Sequence, residues 1–579
     1  MSTSSGTIRR PWCPFEFDDS GVDQLAQECH IHPLVARLLI QRGITTAEQA
    51  EAFLSPKLLD LLEPDVIPDI DQAVEMILTV RDAEGIIAIY GDYDVDGISG
   101  TAILLEMLRH LGIKTLHRLP DRIKEGYGLH VHAVDELAEQ EVDLIITVDG
   151  GSNDIQALHR SQALGLEVIV TDHHQIRETI EGIPLVHPDR SDRPSPSRGL
   201  CGAGVAYKLA WALAREVAGG GKVDDKTRDL LVELLGFTSL GTVADVVPLI
   251  GENRIIVRQG LRSIAATRRP GLEALLETCR IDRKNLSAID IGFRVAPHLN
   301  AAGRMGDAGD ALELLLTDDP ARGKELAAKL AEFNRKRREV EQQMTQECVE
   351  ELEQGRHGEQ GPIVFAREGW HPGVAGIVAN RIVDRVHRPV WVLCSDGEIS
   401  RGSGRSIEEL PLSDLYPVMD PVVEKVGGHA AAGGMTIRTD RIEELRQVLT
   451  DQNEASGASK ELPARRYDLE LSPGDITLDL ADAIEKLAPF GEGNRQPFIC
   501  VRGLRLDGTP RLVGAGEEHV QVKFQSAGSR ISAIWFRAAA RARELTQGGE
   551  ITLIAYITVN HFRGRNVQLQ IVDLLADSQ

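Results

Sequence analysis

The sequence predicts a multidomain α/β protein: two α/β domains joined by one long helix and followed by a small β-barrel. Three observations predict it. Short, β-branched apolar runs at 86–89, 142–148 and 167–171 alternate with stretches of helical periodicity, the pattern of βαβ units around a parallel sheet. Residues 320–354 set Leu326, Leu330, Phe333, Val340, Met344 and Cys348 mostly three or four apart, which predicts one amphipathic helix acting as a strut between two domains. Late in the chain, alternating runs at 520–524, 531–536, 551–556 and 567–571 read as strands of a small barrel.

The first strand leads into Tyr90-Gly91-Asp92-Tyr93-Asp94-Val95-Asp96-Gly97, and helical periodicity follows over 98–111. These carboxylates therefore stand where a strand ends and a helix begins, the crevice in which open α/β sheets bind ligands. Alternating aspartates repel one another unless positive charge lies between them, and hard divalent cations supply it. The second strand runs into Asp149-Gly150-Gly151 and the third into Asp172-His173-His174, so three strand tips bring ligands to one crevice. Asp245 is a lone acid in an apolar stretch, and a metal is a good partner for a buried carboxylate.

In chain order, residues 1–84 form a helical preface with no visible chemistry, and 85–317 form the first α/β domain. Within it, the glycine-bearing loop 119–129 would turn Arg122 and Tyr127 towards a ligand. The small residues of Pro297-His298-Leu299-Asn300-Ala301-Ala302-Gly303-Arg304 would let Asn300 and Arg304 approach a phosphate. The connecting helix occupies 318–358, and its Arg335-Lys336-Arg337-Arg338 run reads as a solvated face. The second α/β domain, 359–452, carries Arg401-Gly402-Ser403-Gly404-Arg405-Ser406 and Gly427-Gly428-His429, where backbone amides and charged donors suit phosphate oxygens. A polar linker and the barrel fill 453–579. The barrel reads as the oligonucleotide-binding type, with Lys523, Phe562, Arg563 and Arg565 as strand-tracking candidates, although a purely structural β domain has the same composition.

The composition, 42% hydrophobic and 26% charged, is that of an ordinary globular chain with full cores. A net charge of −24 excludes a protein that coats nucleic acid indiscriminately, so a polyanion must bind in a local groove. The seven cysteines have no paired spacing, which argues against a zinc site and a disulfide framework. No apolar segment follows Arg9 and Arg10 and none approaches spanning length, so the expectation is a cytoplasmic protein with no membrane partner.

Gly91-Asp92-Tyr93-Asp94-Val95-Asp96-Gly97, Thr147-Val148-Asp149, Asp172-His173-His174, Gly241-Thr242-Val243-Ala244-Asp245 and Asn300-Ala301-Ala302-Gly303-Arg304 resemble, in order, the motifs of the DHH phosphoesterase superfamily. The 401–406 and 427–429 segments resemble the associated DHHA1 domain. With Glu125-Gly126-Tyr127-Gly128-Leu129 and the OB-type barrel, the whole is similar to the single-strand-specific exonucleases of that superfamily. The resemblance implies degradation of single-stranded DNA from its 5′ end, releasing 5′-mononucleotides by two-metal hydrolysis, in repair and recombination. It implies Asp149 as the ligand shared by two ions, Asp94 on one, and Asp96, His173 and Asp245 on the other, with Asp92 and His174 as outer or alternative ligands. The carboxylate-rich set implies Mn2+ first, or Mg2+. Arg304 would neutralise the scissile phosphate, with His429 reaching across from the second domain. Arg122, Ser403 and Arg405 would hold a 5′-terminal phosphate, and Tyr127 would stack on a base. A monomer served by a single-strand-binding protein and a helicase is implied by the family alone.

The sequence departs from the family pattern at three places. Tyr90 stands where a histidine ligand is common, His298 stands where arginine is expected, and Gly150-Gly151-Ser152-Asn153 is an unusual continuation of the second motif. Two rival readings stand beside the exonuclease: a DHH-type phosphoesterase acting on short oligonucleotides or small phosphates, and a non-catalytic DNA-binding scaffold.

Overall fold

The computed structural model describes residues 10–357, 360–456, 463–526, 529–546, 549–561 and 564–575. The chain forms two compact units. One comprises Leu62–Asp245 and Gln259–Glu461; the other comprises Arg10–Leu61, Val246–Arg258 and the segment from Leu462 onward.

The larger unit contains two sheets. In the first part, α1 (Ile70–Asp82), β1 (Ile86–Gly91), α2 (Val95–His110), β2 (Lys114–Arg118), α3 (Val131–Glu139), β3 (Leu144–Val148), α4 (Ile155–Leu164), β4 (Glu167–Thr171) and β5 (Leu185–Val186) follow in order. The five strands pair in parallel in the order β2–β1–β3–β4–β5. Every residue of β3 is buried, as expected for a parallel strand covered on both faces. Ala88, Tyr90, Ile145, Val168 and Val170 share one core with Val134 and Leu137 of α3 and Leu158 of α4. On the other face, α2 packs against α5 (Gly202–Val217) and α6 (Asp225–Ala244).

Strand order reverses between β1 and β3, so the loops after them diverge and leave a crevice at their carboxyl ends. Register decides what lines it. Gly91 pairs with Val148 and Val148 with Thr171, so the next residues along each strand, Asp92, Asp149 and Asp172, sit level with one another. Helix α7 (Ala296–Met305) then packs on α8 (Pro320–Glu353), a 34-residue helix capped by Asp319 and started by Pro320.

The second sheet comprises β6 (Ile363–Glu368), β7 (Val390–Ser395), β8 (Ile399–Arg405), β9 (Lys425–Gly428) and β10 (Ala432–Arg438), with α9 (Ala375–Val386) between the first two. Its order is β9–β10–β8–β7–β6; only β6 and β7 run parallel. Trp370, Val378, Ile382 and Val392 meet Met344 and Cys348 in one core, which fixes this sheet to α8.

In the smaller unit, strands at Ile499–Leu506, Ile551–Asn560, Asn566–Leu575, Ser529–Trp535 and His519–Ser526 pair in that order, and Arg505–Leu506 pair back onto Phe524–Gln525 to close a barrel. The expected 1–84 preface does not hold together as one piece. Ile70–Asp82 belongs to the larger unit, while the helices Val22–Cys29, Pro33–Ile40 and Ala47–Leu54 belong with the barrel. The reason is a shared core: Leu25, Leu38 and Leu39 are buried with Leu480, Ile484, Phe524 and Leu553. Trp12–Pro14 also pairs in parallel with Arg465–Tyr467.

Arg254 joins the three segments of this unit. It is 2% exposed, lies 3.7 Å from the Phe53 ring centre, and donates to the Phe53 carbonyl at 2.6 Å and the Ala488 carbonyl at 2.8 Å. Arg254→Ala removes a buried side chain and leaves these part-buried carbonyls without its donors, and should destabilise the unit by about 2–4 kcal/mol in urea titration; an unchanged midpoint would show that the clamp contributes nothing.

Candidate metal centre and phosphate clamp

The tip of β1 turns directly into α2, and the turn is built by its own acids. Asp94 caps α2, its Oδ1 accepting from the Asp96 amide at 2.9 Å and the Gly97 amide at 3.2 Å. Asp96, 1% exposed, accepts through Oδ2 from the Gly202 amide at 2.6 Å and through Oδ1 from the Ala203 amide at 2.9 Å, at the N-terminus of α5. Such approach requires bare backbone: a Cβ on Gly241 would fall 2.3 Å from Asp96 Oδ1, and one on Gly202 would fall 2.5 Å from Asp149 Cβ. The glycine of the 241–245 motif thus makes room for the acid of the first.

Asp149 follows β3 with φ +62°, a left-handed conformation uncommon outside glycine, and is 3% exposed. Its amide donates to the Thr171 carbonyl, and its Oδ1 lies 3.0 Å from His173 Nε2. The same imidazole nitrogen stands 3.7 Å from Asp96 Oδ2 and 3.6 Å from Asp245 Oδ2. Asp96, His173 and Asp245 bring one ligand atom each within 4.8 Å of one another, as do Asp92, Asp94 and Asp149, and also Asp149, His173 and His174.

The electrostatics of these residues fit a divalent cation. Asp92 Oδ1 is buried with no hydrogen-bond partner among the described residues. Burial, and then the Asp94 charge, pushes the Asp92 carboxyl well above its usual range. Burial and the charges of Asp96, Asp94, Asp92 and Asp245 do the same to Asp149. Burial with Asp96 and Asp94 raises Asp245 to about 8, and burial with Asp94 raises Asp96 to about 6. His173 is pushed down to about 3 by burial and by its neighbour His174, so its ring is uncharged at neutral pH and has one ring nitrogen with a lone pair to offer a cation. Buried carboxylates that cannot ionise together, beside a neutral imidazole, make a donor set for Mn2+ or Mg2+.

Asp172, which the sequence offered only as the head of a ligand-bearing strand tip, organises the histidine loop. It is 1% exposed and accepts from the His173 amide at 2.7 Å, the His174 amide at 3.1 Å, His174 Nδ1 at 2.8 Å and the Ser152 amide at 3.2 Å. The only sequence signal for it was position, since it leads the Asp172-His173-His174 run. Although burial opposes its charge, the Asp172 pair raises His174 to about 9. The unusual 150–153 continuation serves this loop: Asn153 donates to the Gln175 carbonyl and accepts from the Arg177 amide.

The other departures resolve as packing. Tyr90 is buried, and its hydroxyl is engaged by the Gly128 carbonyl, to which it donates at 3.0 Å. His298 Nδ1 contacts the Arg294 carbonyl at 2.7 Å within its own helix. Tyr127, expected to stack on a base, also has a different engagement: its hydroxyl donates to the Asp149 carbonyl at 3.1 Å and meets His174 Nδ1 at 3.0 Å, leaving only the ring partly exposed. Asn300 uses its side-chain oxygen to accept from the Val95 amide at 3.3 Å, tying α7 to the start of α2.

Beside the acids lies a cluster of guanidiniums. Arg304 donates to the Gly373 carbonyl at 2.8 Å and is lowered to about 9 by burial and the neighbouring charges of Arg122, Arg337 and Arg405. Burial and Arg122 lower Arg405 as well. Arg122 stacks on the Tyr93 ring at 4.6 Å. A Cβ on Gly376, in the first turn of α9, would lie 2.8 Å from Arg405 Nη2 and 3.4 Å from Ser403 Cβ, so Ser403 and Arg405 adjoin a helix N-terminus. Like charges held together at such a terminus fit a phosphate. His429 is exposed, and burial followed by the charges of His174 and Arg177 lowers its pKa. On the barrel, Lys523 is exposed, Arg565 is occupied by an ion pair with Asp482, and Phe562 and Arg563 lie outside the described residues.

Family models match the DHH family N-terminal domain over residues 86–242, the DHHA1 domain over 360–455 and the RecJ OB domain over 467–573. The chain is thus a DHH/DHHA1 protein carrying an OB domain after them. It is 35% identical to the single-stranded-DNA-specific exonuclease RecJ of Bacillus subtilis, covering 98% of this chain and 70% of the relative. It is 34% identical to that of Escherichia coli, covering 95% and 97%. A crystal structure of RecJ in complex with Mn2+ from Thermus thermophilus superposes with a TM-score of 0.82 at 27% identity, covering 98% of this chain and 80% of that one. The chain belongs to the RecJ family.

Two outcomes follow from this geometry. If the Tyr127 hydroxyl positions Asp149 and His174, Tyr127→Phe should weaken Mn2+ binding about tenfold in calorimetry; a role confined to ring stacking would leave binding unchanged. The second concerns metal-free protein. The folded pKa values of His174 (about 9) and Asp245 (about 8) lie above their unfolded values, so the folded state holds extra protons and loses stability as pH rises from about 6.5 to 9. Urea titrations in EDTA should show that fall, and Mn2+ should abolish it. A flat profile in EDTA would mean the acids do not strain one another.

Proposed function

We propose that this chain is a single-strand-specific 5′→3′ exodeoxyribonuclease that hydrolyses phosphodiester bonds and releases 5′-mononucleotides. The observation that carries the reading is the adjacency of a buried acid–imidazole cluster to a guanidinium cluster, Arg122, Arg304 and Arg405, in one unit. The RecJ relatives are named for the same activity.

Asp149 is the natural shared ligand, because it groups with Asp92 and Asp94 while its Oδ1 lies 3.0 Å from Nε2 of His173, a member of the Asp96–His173–Asp245 group. Asp92 and Asp94 complete one position, and Asp96, His173 and Asp245 the other; His174, held by Asp172, supports the shared acid. Two divalent cations, Mn2+ or Mg2+, supply there the activation of the attacking water and the stabilisation of the leaving oxygen. Arg304, beside Asp94, neutralises charge on the scissile phosphate. Arg122, Ser403 and Arg405 hold the terminal phosphate at the start of α9. His429, which feels the charges of His174 and Arg177, would donate to the scissile phosphate from the second sheet. Asn300 keeps Arg304's helix in register with the acid turn.

The same reading carries a monomer acting in the cytoplasm, in repair and recombination, on strands delivered by a single-strand-binding protein and a helicase. Among the described residues, no helix is long and apolar enough to cross a membrane.

The test uses the purified chain and Asp149→Ala with Mn2+ and end-labelled single-stranded and duplex DNA. Mononucleotides should leave the 5′ end of single strands, with the variant slower by at least about a thousandfold. Strand binding without cleavage under any divalent metal would instead identify a scaffold, and cleavage confined to dinucleotides a small-substrate phosphoesterase.

A further inference from the structure

Between α6, which is capped at its C-terminus by Asp245, and α7, which carries Asn300 and Arg304, the chain makes a π-helical turn, Ile291–Val295. Such turns are rare and frequently accompany functional sites. This one is firmly seated. Ile291 and Val295 are fully buried, Arg294 is tied to Asp290 at 2.9 Å and to the Cys279 carbonyl at 2.6 Å, and a Cβ on Gly292 would meet the side chain of Val243, two residues before Asp245, at 3.6 Å. Yet Phe293, in the middle of it, is 77% exposed, with Ile289 one turn earlier at 47%. A rigid turn at the edge of the acid cluster therefore holds a large aromatic ring in water.

The long helix contributes a cation to the same neighbourhood. Of the four basic residues at its centre, Arg335 pairs with Glu332 and Glu339, Lys336 with Glu332, and Arg337 with Glu341. Arg338 is exposed and has no carboxylate partner among the described residues. It lies close enough to Cys279 and His298 to act on both, and His298 bonds the Arg294 carbonyl of the π-turn. An exposed aromatic face on the π-turn and an unpaired guanidinium near the histidine bonded to that turn are the combination by which single strands are held without regard to sequence: bases stack on the ring and phosphates meet the cation.

We propose that Phe293 and Arg338 form a strand-holding subsite outside the acid cluster, in which the ring stacks on one nucleobase and the guanidinium engages an adjacent phosphate. Phe293 precedes Arg304 by eleven residues, roughly 16 Å of helical rise, so the nucleotide held is a few positions from the scissile bond. The proposal rests on the exonuclease reading for its substrate, while its test reads binding as well as cleavage.

The experiment uses the full chain in EDTA with fluorescent 5′-phosphorylated single strands, each carrying one abasic position moved stepwise from the 5′ end. One position should weaken binding to the parent about tenfold. Phe293→Ala should weaken binding to the intact strand by a similar factor and be insensitive to that position, and Phe293→Trp should restore both. Arg338→Gln should lower the slope of log affinity against log salt by about 0.7. With Mn2+, the preference of Phe293→Ala for a long strand over a dinucleotide should fall about tenfold. An abasic profile identical in parent and Phe293→Ala, or an unchanged preference for length, overturns the subsite. A parent that binds strands with the abasic signature but cleaves none overturns the exonuclease reading and leaves the subsite standing.

Discussion

Mutual repulsion among buried carboxylates is the constraint on which the larger unit depends. Asp92, Asp94, Asp96, Asp149 and Asp245 come together because three parallel strands end level and one helix terminates beside them. The surrounding fold holds that arrangement without relieving it. Asp96 receives two amides from α5, Asp149 adopts a left-handed backbone, and Gly202 and Gly241 withdraw side-chain bulk so that the acids approach. Asp172, by contrast, is compensated by donors and stays charged, and it uses that charge to aim the His174 imidazole and to hold the His173 backbone amide. One set of acids is left needing cations, and the other is the instrument that sets their geometry.

The second sheet matters because its charges have the opposite sign. Arg405 and Ser403 come from β8, Arg304 from α7 and Arg122 from the loop after β2, and the closeness of Arg122 lowers the proton affinity of both Arg304 and Arg405. Neither cluster is comfortable alone. On the proposed reading, a phosphodiester between cation-bearing acids and this group of arginines would satisfy both and let a chain with a net charge of −24 handle a polyanion locally.

Much of this was legible in the sequence because it depends on period and position. Apolar runs ending in Asp92, Asp149 and Asp172 gave away the parallel sheet and its crevice, and the spacing from Leu326 to Cys348 gave away the long helix. What was illegible depends on where a side chain's second contact lies. Tyr127 read as a stacking ring, since nothing local reveals that its hydroxyl reaches the Asp149 carbonyl. Asn300 read only as a phosphate ligand, since nothing local reveals that its amide oxygen also accepts from the Val95 amide. Arg565 read as a strand contact, although Asp482, far away in sequence, neutralises it. The first helices read as an independent preface because an amphipathic face announces that it is buried but not against what.

That last feature bears on how the protein is made. The helices between Val22 and Leu54 leave the ribosome early, yet the barrel strands that share their core are translated much later, and Trp12–Pro14 waits for Arg465–Tyr467 to complete its pairing. The larger unit is therefore synthesised and able to fold in the interval, while the early helices keep an apolar face uncovered. Cutting the chain after α8 or the second sheet does not remove a module cleanly; it strands those helices without a partner. The barrel is thus both a late-arriving domain and the cover that ends the nascent chain's exposure to aggregation.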